Sequence, residues 1–189
     1  MRELIVTTFL SADGVMDSPG GASGFPHAGW TYKDVDFDPA AYELKGREQE
    51  EAGALLMGRV SYEEFSPVWP SMTEEFARYN AMPRYVVSTT LEGDAAPWGE
   101  DHVTVLRNLD EVAALKDEDG GPISLHGSAT LAQGLAAAGL VDRYHLLVFP
   151  VLLGSGRRLF GDGPKQRLAV EESEVYGNGV AKLVYRVVK

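Results

Sequence analysis

The sequence predicts an α/β fold: a largely parallel sheet with helices on both faces and an antiparallel hairpin at the end. Three observations carry this. Short apolar runs such as Ala54-Leu55-Leu56-Met57 and Ile123-Ser124-Leu125 are bounded by Gly or Pro, as in strands buried on both sides. Helical patterns follow several of these runs. Two strand-like runs near the end flank Gly177-Asn178-Gly179, a strong hairpin signal.

Leu4–Leu10 is β-branched and apolar, a buried strand, and Ser11-Ala12-Asp13-Gly14 turns the chain. The Gly- and Pro-rich stretch Asp17–Gly29 is a long loop, of the length that often serves as a lid or binding element. Asp38-Pro39 starts a helix running to about Glu51, with a capping Asp and Pro at the first helical position. Strand Ala54–Met57 leads through Gly58-Arg59 into a short helix, Val60–Phe65, and a second short helix lies near Thr73–Asn80. Arg84–Ser88 and Val103–Leu106 are strands, and Leu109–Lys116 is an amphipathic helix. Ile123–His126 is a strand whose small-residue turn opens a helix ending at Gly139, a left-handed cap. Tyr144–Phe149 and the two runs of the hairpin, Leu168–Tyr176 and Val180–Val188, complete the sheet. No repeat, low-complexity tract or linker divides the 189 residues, so one domain spans 1–189.

A net charge of −11 argues against general nucleic-acid binding, which needs clustered Lys and Arg. The lack of cysteine excludes disulfides, thiol catalysis and cysteine-based zinc sites. No metal site is expected. With no basic leader or long apolar run, the expected setting is the cytoplasm, away from membranes.

Three strand ends are built for a ligand: Met57 into Gly58-Arg59-Val60-Ser61, Val87 into Ser88-Thr89-Thr90, and Leu125 into His126-Gly127-Ser128. In open α/β sheets the ligand crevice lies outside the carboxyl ends of the strands. Two of these turns open helices, whose free N–H groups favour phosphate, and Arg59 adds a charged donor. Together they favour a dinucleotide-like ligand. Neither the Rossmann glycine fingerprint nor a P-loop is present.

Ser11-Ala12-Asp13-Gly14, Met57-Gly58-Arg59-Val60-Ser61-Tyr62-Glu63 and Ser88-Thr89-Thr90-Leu91 resemble the dihydrofolate-reductase-like superfamily. So do Gly139–Tyr144, Pro150–Gly156 and Leu159-Phe160. The subgroup is that of the RibD C-terminal domain, the reductase domain of riboflavin biosynthesis enzymes, here without its deaminase partner. The resemblance implies a three-layer sandwich with a mixed, mostly parallel sheet of about eight strands, NADPH as cofactor, and a homodimer. By motif, Gly58, Arg59 and Ser61 meet the cofactor phosphates, and Ser88 and Thr89 flank the 2′-phosphate. Gly127, Ser128, Ala129 and Thr130, with His126, form the pyrophosphate turn. Thr8, Phe9 and Met16 border the nicotinamide.

The resemblance implies transfer of hydride to a small heterocyclic or carbonyl substrate. The same fold binding a nucleotide without turnover is the alternative. Asp13, Asp17 and Trp30 are the substrate-side candidates, although Asp13 also suits a turn cap and Trp30 a loop anchor. Relatives commonly carry a Gly-Gly pair, often cis, at the position of His126-Gly127, and His126 either tucks in or faces the ligand. An acidic residue near the start of the first helix has no clean match. Asp36, Asp38, Glu43 and Glu48 are its candidates.

Overall fold

The computed structural model describes residues 1–21, 24–92 and 95–189; Ala22 and Ser23 of the glycine-rich loop lie outside the described residues. In chain order the strands are β1 (Leu4–Ser11), β2 (Ala54–Gly58), β3 (Arg84–Val87), β4 (Ala95–Trp98), β5 (Asp101–Leu106), β6 (Ile123–His126), β7 (Arg143–Phe149), β8 (Arg167–Val175) and β9 (Ala181–Val188). The helices are α1 (Trp30–Lys33), α2 (Pro39–Glu51), α3 (Arg59–Phe65), α4 (Ala77–Ala81), α5 (Leu109–Asp117) and α6 (Ala129–Ala137).

The strands form one sheet in the order β4-β5-β3-β2-β6-β1-β7-β9-β8. Its centre is parallel, while β4 pairs antiparallel with β5 and β9 pairs antiparallel with β7 and β8. The sheet therefore has nine strands where about eight were expected. The extra one is β4, whose Pro97 hid it: a residue without an N–H is tolerated on an edge strand, and β4 is an edge. The helix expected near Thr73–Asn80 contracts to Ala77–Ala81, preceded by a 3₁₀ turn at Trp69–Ser71.

Local chemistry accounts for the helix ends. Asp38 caps α2 by accepting from the Ala40 N–H at 3.0 Å. Asn108 does the same for α5 with Glu111. Gly139, at φ +70°, ends α6, and the Leu140 N–H returns to the Leu135 carbonyl.

Alternation along the strands sorts their side chains between two layers. Leu4, Val6 and Leu10 of β1 pack with Leu125, Leu146 and the buried sides of α5 and α6. The opposite face holds two apolar clusters. One joins Trp30, Ala41 and Leu44 to Leu147 and Phe149; the other joins Leu55 and Met57 to Tyr62, Tyr79 and Trp98. A fully buried Leu such as Leu55 contributes about 2 kcal/mol through the water-inaccessible area it gains. β1 and β6 run between the strands of these clusters, and there the sheet presents polar side chains: Thr7, Ser124 and His126, with His145 from β7.

Candidate functional site

The three ligand-type turns follow β3, β2 and β6, which are neighbours in the sheet. Two of them touch. The Gly58 N–H donates to Ser128 Oγ at 2.7 Å, and the Ser61 and Ser128 hydroxyls lie 2.8 Å apart. A Cβ on Gly58 would fall 2.5 Å from Ser128 Oγ, and one on Gly127 2.6 Å from Ser61 Oγ. Gly127 also adopts φ +66°, followed by Ser128 at φ +63°. All described peptide bonds here are trans, so consecutive left-handed residues, with no cis bond, make the turn after His126.

This geometry has a chemical consequence. Ser128 occupies the N-cap position of α6 yet makes no side-chain cap, because its hydroxyl is turned toward Gly58 and Ser61. The first-turn N–H groups of Ala129, Thr130 and Leu131 are left without a side-chain acceptor, as an anion site at a helix start requires. Thr130 is exposed beside them.

At the β3 turn, Ser88 Oγ accepts from the Thr90 and Leu91 N–H groups, while Thr89 is exposed. Arg107, just past β5, donates to the Ser88 and Leu91 carbonyls at 3.2 and 2.7 Å. Its role follows from β5 lying next to β3. Arg59 is exposed and pairs with Glu63 at 2.7 Å.

At the end of β1, Thr8 is buried and Phe9 is half-buried against Tyr42 and Phe149. Met16 lies in the core, its N–H bonded to the Arg157 carbonyl. Asp13 accepts from Ser11 Oγ at 2.6 Å and from the Leu153 and Gly154 N–H groups, and Arg158 lies 3.5 Å away. These bonds, the Ser11 hydroxyl foremost, hold its carboxyl down to about 2. Asp13 thus clamps its turn to the loop after β7. Asp17 meets the Arg157 N–H and guanidinium in the same way. Trp30 is fully buried and donates from Nε1 to the Asp17 carbonyl at 2.9 Å, anchoring the glycine-rich loop.

His126 bonds through Nε2 to the Tyr79 hydroxyl at 2.8 Å and packs against Trp69. Burial pushes its imidazole down to about 4, leaving it neutral. It lines the polar strip between the two apolar clusters, whose centre is Glu48 of α2. Glu48 is buried, accepting from Thr7 Oγ1 at 2.7 Å, from His145 Nδ1 at 2.9 Å and from Lys45 Nζ at 3.2 Å. Burial opposes ionisation of Glu48, but Lys45 and His145 outweigh it and hold the carboxyl down to about 2. Of the four acidic candidates only Glu48 lies inside the molecule; Asp38 is spent as a cap, and Asp36 and Glu43 are exposed. Lys45, Thr7 and His145 carried no signal in the sequence, since only the packing of α2 across β1 and β7 brings them together.

Two small surface clefts are present among the described residues: one behind α6 beside Tyr144 and Phe160, the other under the end of α2, reaching Glu48, Ser124 and His145 of the polar strip. Among the described residues no helix is long and apolar enough to cross a membrane.

Residues 2–182 match the family model described as the RibD C-terminal domain. The uncharacterized protein YyaP of Bacillus subtilis (strain 168) is 26% identical over 194 residues, covering 97% of this chain and 94% of that protein. A crystal structure from Shewanella sp. PV-4, provisionally named a riboflavin biosynthesis protein, is 25% identical with a TM-score of 0.74, each chain covered in full. Dihydrofolate reductase from Enterococcus faecalis, complexed with NADP(H) and RAB-propyl, shares the fold at a TM-score of 0.64 and 14% identity, covering 99% of this chain and 97% of that one.

Proposed function

The chain belongs to the RibD C-terminal domain family, a family of NADPH-dependent reductases, and on that premise we propose that it reduces a small heterocyclic or carbonyl compound with NADPH. The observation that carries this reading is the paired turn at Gly58 and Ser128, which turns the capping serine away from α6 and leaves its first-turn N–H groups to a phosphate. The glycines let the backbone come as close as a pyrophosphate requires.

In this reading Gly127–Thr130 hold the pyrophosphate, with Gly58, Arg59 and Ser61 beside it. Ser88 and Thr89, on the turn braced by Arg107, take the 2′-phosphate. Thr8, Phe9 and Met16 border the nicotinamide, and bound NADPH supplies the hydride. Asp13, Asp17 and Trp30 have their polar groups engaged by the protein, so in this reading they shape the loops on the substrate side and do not react with the substrate.

The test is quenching of tryptophan fluorescence by NADPH, then NADPH oxidation with a panel of pterins, pyrimidines and quinone-like acceptors. Quenching and turnover are expected. Quenching with no acceptor reduced would instead describe a nucleotide-binding module. Failure of both NADPH and NADH to bind at millimolar concentration overturns either reading.

We further propose a homodimer. Edge strand β8 is exposed along almost its whole length, with Val170 60% and Val175 73% accessible, as an edge awaiting a second copy would be. Sedimentation velocity should find a dimer; a monomer at micromolar concentration refutes it.

A further inference from the structure

We infer that Lys45 is the proton donor of the reduction: its ammonium, held by Glu48 and Thr7 beside Phe9, protonates the heteroatom of a C=N or C=O bond as hydride reaches the carbon. The inference rests on the nicotinamide lying against Phe9, as proposed above. Lys45 projects from α2 onto β1, where Nζ donates to Thr7 Oγ1 and to Glu48 Oε2, and lies 5.3 Å from the centre of the Phe9 ring. An ammonium has three protons to donate. Two are engaged, and among the described residues no hydrogen-bond acceptor takes the third, the Phe9 ring being the neighbour on that side. The side chain is 18% accessible and its carboxylate partner 2%, so Glu48 holds the charge from within the fold while part of the lysine side chain reaches the surface.

A buried ion pair is a poor means of stabilising a fold, because desolvation offsets most of the attraction. Placing one beneath the expected nicotinamide has a chemical use instead. Burial lowers the Lys45 pKa from its ordinary value and Glu48 opposes that lowering; lysines serve as general acids when their surroundings bring them down toward the operating pH. The groups facing this strip are Glu48 and Lys45 from α2, Thr7 from β1, His126 from β6, His145 from β7 and Tyr79 from α4. Glu48 is a positioning residue. It keeps Lys45 charged and aimed, and is itself oriented by His145 Nδ1.

The step balances. Hydride from NADPH forms the new C–H bond, the π pair moves to the nitrogen or oxygen, and an Nζ proton forms the new N–H or O–H bond. NADP⁺ and a neutral Lys45 amine remain, and the amine regains its proton from water. Phe9, Tyr42 and the exposed Phe37 continue as an aromatic wall, at centroid spacings of 5.8 and 5.2 Å, which suits a planar acceptor.

The test uses whole protein labelled with ¹³C at lysine Cε, titrated by NMR with NADP⁺. The Lys45 signal, assigned by its loss in Lys45→Met, should shift on NADP⁺ binding while that of Lys116 stays. In the same protein Glu48→Gln should lower the Lys45 pKa. With any acceptor reduced in the panel above, Lys45→Met should cut kcat about 100-fold or more at unchanged NADPH affinity. The alkaline fall in kcat should move to lower pH in Glu48→Gln. If Lys45→Met does not fold, Lys45→Met with Glu48→Gln removes both charges together. A Lys45 signal unmoved by bound NADP⁺, or turnover within about threefold of the unsubstituted protein, overturns the assignment. Lack of NADP(H) binding overturns the reductase reading itself, so the two failures are distinguishable.

Discussion

His126 illustrates how one side chain couples the site to stability. Its ring is protonated near pH 6.5 when free and only near pH 4 when folded. Between those values the unfolded chain binds the extra proton, so stability falls as pH drops from about 6.5 to 4. In full the effect is worth about 3 kcal/mol. Glu48 and Asp13 are depressed carboxyls, so their contributions are present above their ordinary values of 4.5 and 3.8 and are lost toward pH 2. Urea midpoints at pH 7 and pH 4.5 should therefore differ in the unsubstituted protein, and His126→Gln should remove most of the difference. The sequence left His126 open between a tucked-in strand end and a ligand group. In the fold its ring bonds Tyr79, a partner 47 positions away and beyond the reach of local pattern.

The β6–α6 joint carries the prediction that belongs to elements. Gly127→Ala puts a Cβ on a left-handed residue, at a cost of about 1–2 kcal/mol, and against Ser61 Oγ. We expect lower stability in chemical denaturation together with weaker NADPH quenching, because the displaced turn also sets the start of α6. Most elements were legible at this scale. Capping signals at Asp38 and Gly139, apolar runs between glycines, and the Gly177–Gly179 hairpin turn are local instructions, and the chain follows them. Strand β4 was not legible, since Ala-Ala-Pro-Trp has no strand alternation and is held by its pairing with β5. Helix α1 is a single turn fixed largely by the burial of Trp30, another tertiary cause.

For the molecule as a whole, a cofactor that binds only the folded state must raise its stability. NADPH at a hundredfold excess over Kd should add about 2.7 kcal/mol, and NADH at the same concentration less, if Ser88 and Thr89 receive a 2′-phosphate. Thermal melts with each nucleotide check this; equal shifts would remove the 2′-phosphate from that turn. By itself the sequence determined the α/β class, nearly every strand and helix, and the small-residue turns at three strand ends. Each of these depends on residues close together in the chain. Tertiary structure alone decided the order of the sheet, and with it which turns touch and that Ser128 turns from its own helix to Gly58. It also gathered Lys45, Glu48, Thr7 and His145 onto one strip. Those contacts join residues up to 97 positions apart, and packing of a helix across a sheet, which no local pattern encodes, brings them together.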